Sequence, residues 1–171
     1  MTTGIAQTKE DVWHGVRMAT PVRVEENMAG PIVTRVIHQV LLVENDDRDA
    51  GLIREALDGR PDSQLHIVPD VVGAIRFLAK RDGFIHAPTP DLILLALRLR
   101  HFPGTALLEE RRRRPTWGRI PVVVLGTASD DRPASVARGA DDHVVKPADP
   151  TAWRQLMEGL LSRHLPVAGT S

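Results

Sequence analysis

Five short apolar runs, separated by stretches in which apolar residues recur at helical spacing, constrain this chain more than any other feature. The runs lie at Val40–Val43, Leu65–Val68, Leu92–Leu97, Pro121–Leu125 and His143–Val145. A run that is apolar at nearly every position suits a strand buried on both faces of a sheet, not a half-exposed one. Behind Asp46, an N-cap residue, Leu52, Ile53, Ala56 and Leu57 fall on one helix face, and Gly59 and Pro61 close that helix. Val71, Ala74, Ile75 and Leu78 stand at i, i+3, i+4 and i+7 and mark a second helix. A weaker helix runs from Thr105 to about Arg114, where Pro115 stops it. Pro133 opens a short helix that ends near Gly139. Asp149 and Pro150 cap and start the last one, with Trp153, Leu156, Met157, Leu160 and Leu161 as its apolar face.

Alternating strands and helices imply an α/β fold with a parallel sheet, and right-handed crossovers put helices on both of its faces. Such doubly wound sheets bind ligands at the carboxyl ends of their strands. The loops after Val43, Leu95, Leu125 and Val145 are therefore where function is expected.

The regular pattern covers 38–165. Residues 1–37 are polar and weakly patterned, with Trp13 their only large aromatic. Within them, Pro21–Glu26 and Pro31–Ile37 flank Asn27–Gly30, which allows either a hairpin or a free arm, and Met28 is an alternative start. Residues 166–171 form a short tail. The chain has no cysteine, which excludes disulfides, thiolate catalysis and cysteine metal sites. No apolar run approaches the roughly 18 residues of a membrane span, and no basic-then-apolar leader opens the chain. A cytoplasmic protein is expected. Zero net charge supplies no global field toward nucleic acid or membrane.

Val40-Leu-Leu-Val-Glu-Asn45, Pro90-Asp-Leu-Ile-Leu-Leu95, Ile120-Pro-Val-Val-Val-Leu125, Gly139-Ala140 and Lys146-Pro147 occur in an order and spacing that resemble the receiver family of two-component response regulators. The resemblance is nearest to the single-domain regulators that partner bacterial phytochromes. It implies a flavodoxin-like (βα)5 domain with strand order 2-1-3-4-5. It also implies a pocket in which an acidic pair and an acceptor aspartate hold magnesium while a lysine meets the transferred phosphoryl group. A Thr or Ser after the fourth strand and an aromatic in the fifth report the phosphorylated state, and the bond before Pro147 is often cis.

Matched position by position, Glu44 retains the first acid and Asn45 replaces the second. Ala96 stands at the acceptor, Arg98 two residues on, Gly126 at the hydroxyl position and His143 at the switch aromatic, while Lys146 is retained. Several losses together argue for a naturally degenerate pocket instead of a single engineered knockout at Ala96. The expectation is a non-enzymatic pseudo-receiver that acts by phosphorylation-independent protein–protein interaction. Magnesium binding should be weak or lost, with Glu44 and Asp46 the residual ligand candidates, and Arg98 or Lys146 should pair with Glu44 in the metal's place. Because the last helix ends near His164, no output domain is expected. The expected partner is a histidine kinase, another regulator or a second copy. Homodimers in this family use the fourth helix, fifth strand and fifth helix, but the chain between Leu125 and Gly139 is about two residues short there. Residues 1–37 offer an alternative dimer arm.

Three other features invite function. Arg111 to Arg114 with Trp117 and Arg119 suggest a nucleic-acid-binding adaptor, with Trp117 stacking on a base. Two adjoining glutamates and the neutral net charge favour a solvated helix end, and Arg111, at a usually apolar position, suggests a partner contact. Asp46, Asp47 and Asp49 suggest a metal or a residual phosphoryl acceptor at Asp46, but capping and first-turn charge account for them. His66 and His143 lie on strands without spaced partners and read as packed residues. Gly-rich phosphate loops, nucleophile elbows and HExxH motifs are absent.

Overall fold

The structure, a computed structural model, describes residues 36–165 and, in backbone only, the strand pair Val12–Trp13 and Val16–Arg17, which is antiparallel. The hairpin expected around Asn27–Gly30, the alternative start at Met28 and the tail 166–171 lie outside the described residues.

Five strands, β1 (His38–Val43), β2 (Ser63–Val68), β3 (Leu92–Ala96), β4 (Val122–Gly126) and β5 (Asp142–Val145), form one parallel sheet in the order β2-β1-β3-β4-β5. Helices α1 (Asp47–Leu57), α2 (Val71–Leu78), α3 (Thr105–Arg112), α4 (Pro115–Gly118), α5 (Arg132–Ala137) and α6 (Pro150–His164) connect and cover it. Successive side chains on a strand point to opposite faces, and both faces here are apolar. Leu41, Val43, Ile93, Leu95, Val122 and Val124 meet Phe77, Leu107, Leu108 and Trp117 from α2, α3 and α4. Val40, Leu42, Leu92, Leu94, Val123 and Leu125 meet Ile53 of α1 and Trp153, Met157 and Leu160 of α6. That double burial is why these strands read as unbroken apolar runs.

Caps set the helix starts. Asp46, Asp70, Asp131 and Asp149 each accept a backbone N–H from the first turn of α1, α2, α5 and α6. The third helix ends at Arg112, earlier than its pattern suggests, because the N–H of Arg113 turns back to the carbonyl of Glu110. Pro115 then opens a further single turn, α4, which the sequence pattern does not announce, and its Trp117 is buried. Every described peptide bond is trans, so the bond before Pro147 departs from the cis geometry that the resemblance implies. Among the described residues no helix is long and apolar enough to cross a membrane.

His66 is a buried polar group inside this core, with its Nε2 2.7 Å from Gln39 Oε1 and its ring 5.2 Å from that of Phe77. Burial lowers its pKa to about 4 from the ordinary 6.5. The imidazole is therefore neutral at pH 7 and donates from Nε2 to Gln39. Between pH 6.5 and 4 the unfolded chain binds a proton at this residue that the folded chain does not, so stability falls as pH falls through that window. The loss at this one site amounts to about 3 kcal/mol at its limit. Urea titrations from pH 7 to pH 4 should show that much extra loss in the wild type relative to His66→Phe, which lacks the titrating group.

Candidate site at the carboxyl end of the sheet

Glu44 follows β1 directly, and its side chain is only 2% exposed. One carboxylate oxygen, Oε1, accepts the backbone N–H groups of Asn45 and Asp46, each at 3.0 Å. The other, Oε2, lies 2.6 Å from Nζ of Lys146, which follows β5. The same ammonium reaches Asp49 Oδ2 in the first turn of α1 at 2.8 Å. Burial alone would lower the Lys146 pKa, but the hydrogen bonds it donates to Asp49 and Glu44 outweigh it and raise the pKa above its ordinary value. Of the two cations expected beside Glu44, Lys146 is there and Arg98 is not.

Arg98 instead extends from the loop after β3 to Asp130 Oδ1 at 3.3 Å and Ser129 Oγ at 3.2 Å, in the loop after β4. Asp130 is held from the other side by the N–H and the hydroxyl of Thr127. Hydrogen bonding to the Thr127 N–H, with the nearby Arg98, keeps its carboxyl below the usual carboxylate range. Arg98 is largely exposed, so the pair contributes a fraction of a kcal/mol, roughly the value of surface ion pairs. Its consequence is geometric, because it ties two loops together.

Ala96 is the last residue of β3 and buried. It presents a methyl group, which has neither a nucleophilic oxygen nor a ligand atom. Gly126 and His143 are matched to each other. His143 is buried, and its ring lies so close over Gly126 that any Cβ at 126 would collide with His143 Nε2. The ring thus occupies the space that a side chain at 126 would need. His143 Nδ1 and the buried Asn45 Oδ1 have no hydrogen-bond partner.

Magnesium needs oxygen ligands in near-octahedral array. Both Glu44 oxygens are engaged by donors, position 96 offers a methyl, and Asp46 spends Oδ1 on the N–H groups of Arg48 and Asp49. The backbone N–H of Asp49, foremost, lowers the Asp46 pKa despite slight desolvation. Among the described residues no three side chains of metal-ligating type converge. This donor set does not fit a magnesium ion.

The sequence pattern set Asp49 aside as helix-start charge and missed Asp130. Asp49 reads as first-turn helix charge, yet Lys146 lies within reach of that turn. Thr127 and Asp130, three residues apart, carry a local turn signature after β4, which could have drawn attention to the loop.

The basic cluster has to be corrected. Arg111 is buried, and its guanidinium donates to the carbonyls of Trp117, Gly118 and Gly139 and to Asp141 Oδ2. It is an internal clamp joining the α4 turn to the approach to β5, not a partner contact. Trp117 is buried under Arg114, whose guanidinium lies 4.4 Å from the ring centroid, so it offers no face to a base. Arg113 and Arg114 both pair with Glu110.

Removing one member of a buried ion pair leaves the other as an uncompensated charge, at a cost of about 3–5 kcal/mol. Lys146→Met should therefore lower unfolding free energy by roughly 3 kcal/mol in urea titrations. Adding Glu44→Gln to that variant should recover part of the loss. Equal stability of wild type and Lys146→Met would refute the buried pair.

No family model matches the chain. It is 38% identical over 93 residues to the response regulator Rcp1 of Synechocystis and 33% identical over 79 residues to the phosphate regulon regulator PhoB of Rhizobium meliloti. These segments cover 63% and 35% of the two relatives, so the chain spans less than two thirds of either. Among solved structures, the phosphorylated cyanobacterial phytochrome response regulator RcpA is 31% identical with a TM-score of 0.71. That match covers 78% of this chain and 98% of RcpA. The manganese-bound form of Rcp1 is 30% identical with a TM-score of 0.68, over 78% of this chain and 99% of that one. A parallel sheet in this strand order, together with sequence identity along nearly the whole of those receivers, means that the chain belongs to the receiver family of two-component response regulators.

Proposed function

We propose that this protein is a pseudo-receiver: a non-enzymatic signalling module whose interaction with a protein partner does not depend on phosphorylation. The observation that carries the reading is the methyl of Ala96 at the end of β3, together with a lysine already bound to Glu44 and Asp49. Phosphoryl transfer needs a nucleophilic oxygen, charge neutralisation and a free cation to meet the phosphoryl oxygens. Here position 96 supplies no oxygen, the donor set does not suit magnesium, and the ammonium of Lys146 is engaged. By contrast, the similar RcpA is known in a phosphorylated form and the similar Rcp1 in a manganese-bound form. The partner in this reading is a histidine kinase or another regulator, and the relatives' phytochrome connection makes a light-sensing kinase the first candidate. A nucleic-acid adaptor is not retained, since Arg111 and Trp117 are both internal.

Incubation with acetyl phosphate and magnesium tests the reading. Intact mass should stay unchanged, with no hydroxylamine-sensitive phosphate. A stoichiometric hydroxylamine-labile phosphoryl group, mapped to Asp46 or another carboxylate, would contradict it.

A further inference from the structure

One edge of the sheet is guarded by charge and the other is not. β5 is short, and Asp142 at its start holds Arg132 and Arg163 at 3.1 Å each, so charged side chains stand along that edge. β2, at the opposite edge, pairs with β1 alone. The carbonyls of Asp62 and Val68 accept the N–H groups of His38 and Glu44, so alternate residues from 62 to 68 face β1. Ser63, Leu65 and Ile67 therefore turn their backbone N–H and C=O groups to the open side. The strand is six residues long, Ser-Gln-Leu-His-Ile-Val, and its register with β1 is unbroken. It carries no acid, lysine, arginine or proline that would stop another strand from adding there.

What lies against this edge is the chain's own amino-terminal part. Val12–Trp13 and Val16–Arg17 pair antiparallel, Val12 with Arg17 and Trp13 with Val16, and only His14 and Gly15 join them in sequence. Val16–Arg17 approaches β2 to within 8 Å between Cα atoms, although the pair remains a separate sheet. A lone two-stranded hairpin is at best marginal in water. One with two residues in each strand needs a surface to rest on, and β2 supplies it. From this contact we propose that the Val12–Arg17 hairpin is an intramolecular cover for the β2 edge. It occupies the place where an extended segment of a second copy would otherwise add as a strand. The cover is separate from the pocket at the carboxyl end of the sheet and stands independently of the pseudo-receiver reading.

The chain has no cysteine, so Arg17→Cys places a nitroxide spin label at one site in the full chain. In that protein the amide resonances of Ser63, Leu65 and Ile67 should be strongly broadened, and equally so at every protein concentration. A mixture of isotope-labelled chain without nitroxide and nitroxide-bearing chain without isotope should show no such broadening. Broadening in the mixture would put a second copy's hairpin on the edge and overturn the intramolecular cover. Absence of broadening in both samples would remove the contact altogether. A Trp13→Pro, Val16→Pro double variant, which lacks both N–H donors of the pair nearest the turn, then tests what the cover does. In it the broadening should vanish while the amide shifts of Leu41 and Leu94 stay as in wild type. Its sedimentation coefficient should rise with concentration, as bare edges pair, where that of the wild type stays constant. Persistent broadening would mean that something other than the hairpin holds residue 17 there. A variant that loses the broadening yet stays monomeric would mean that the edge needs no cover. Either result overturns the proposal, and the spin-label experiment on the otherwise unaltered chain decides the contact even if the double variant fails to fold.

Discussion

The buried carboxylate of Glu44 is the constraint around which the carboxyl end of this sheet is arranged. An ionised carboxylate with a 2% exposed side chain is stable only with donors on both oxygens and a nearby cation. Two backbone N–H groups and the ammonium of Lys146 meet that requirement. Because Glu44 follows β1 and Lys146 follows β5, satisfying one charge ties the two strand ends together across β3 and β4. Asp49 adds the start of α1 to the same ion cluster.

The other unusual residues make sense as a set. Gly126 leaves room that the His143 ring takes, so neither residue can be understood without the other. Arg98 and Asp130 join the loops after β3 and β4, which flank Ala96. In the reading proposed above, contacts that a metal and a phosphoryl group would otherwise supply are built into the chain. Loops cross-linked in this way have less need of a ligand to order them, and a partner-binding surface nearby would be continuously presented.

The fold was largely legible in the sequence because both cores are built from strands apolar on two faces, and because aspartates cap most of the helices. Glu44 and Lys146 were legible as a pair only through the resemblance, since they lie 102 positions apart. Arg111 was misread for a physical reason. A run of arginines at a helix end ordinarily faces solvent, and nothing local reveals that three carbonyls and Asp141 await one of them inside. Asp49 was hidden for the converse reason, because first-turn aspartates are common enough to need no partner. The short α4 turn escaped because four residues carry too little periodicity to detect.

The central claim is that the site at the end of β3 is filled by the chain's own side chains and responds to neither metal nor phosphoryl group. Backbone amide NMR during titration with magnesium, followed by beryllofluoride as a phosphoryl mimic, tests it most directly. The account predicts unchanged amide shifts at Glu44, Ala96, Gly126, His143 and Lys146. Saturable shifts at Glu44 and Lys146 that spread to Gly126 and His143 would contradict it, because they would require the Lys146–Glu44 pair to open for a ligand.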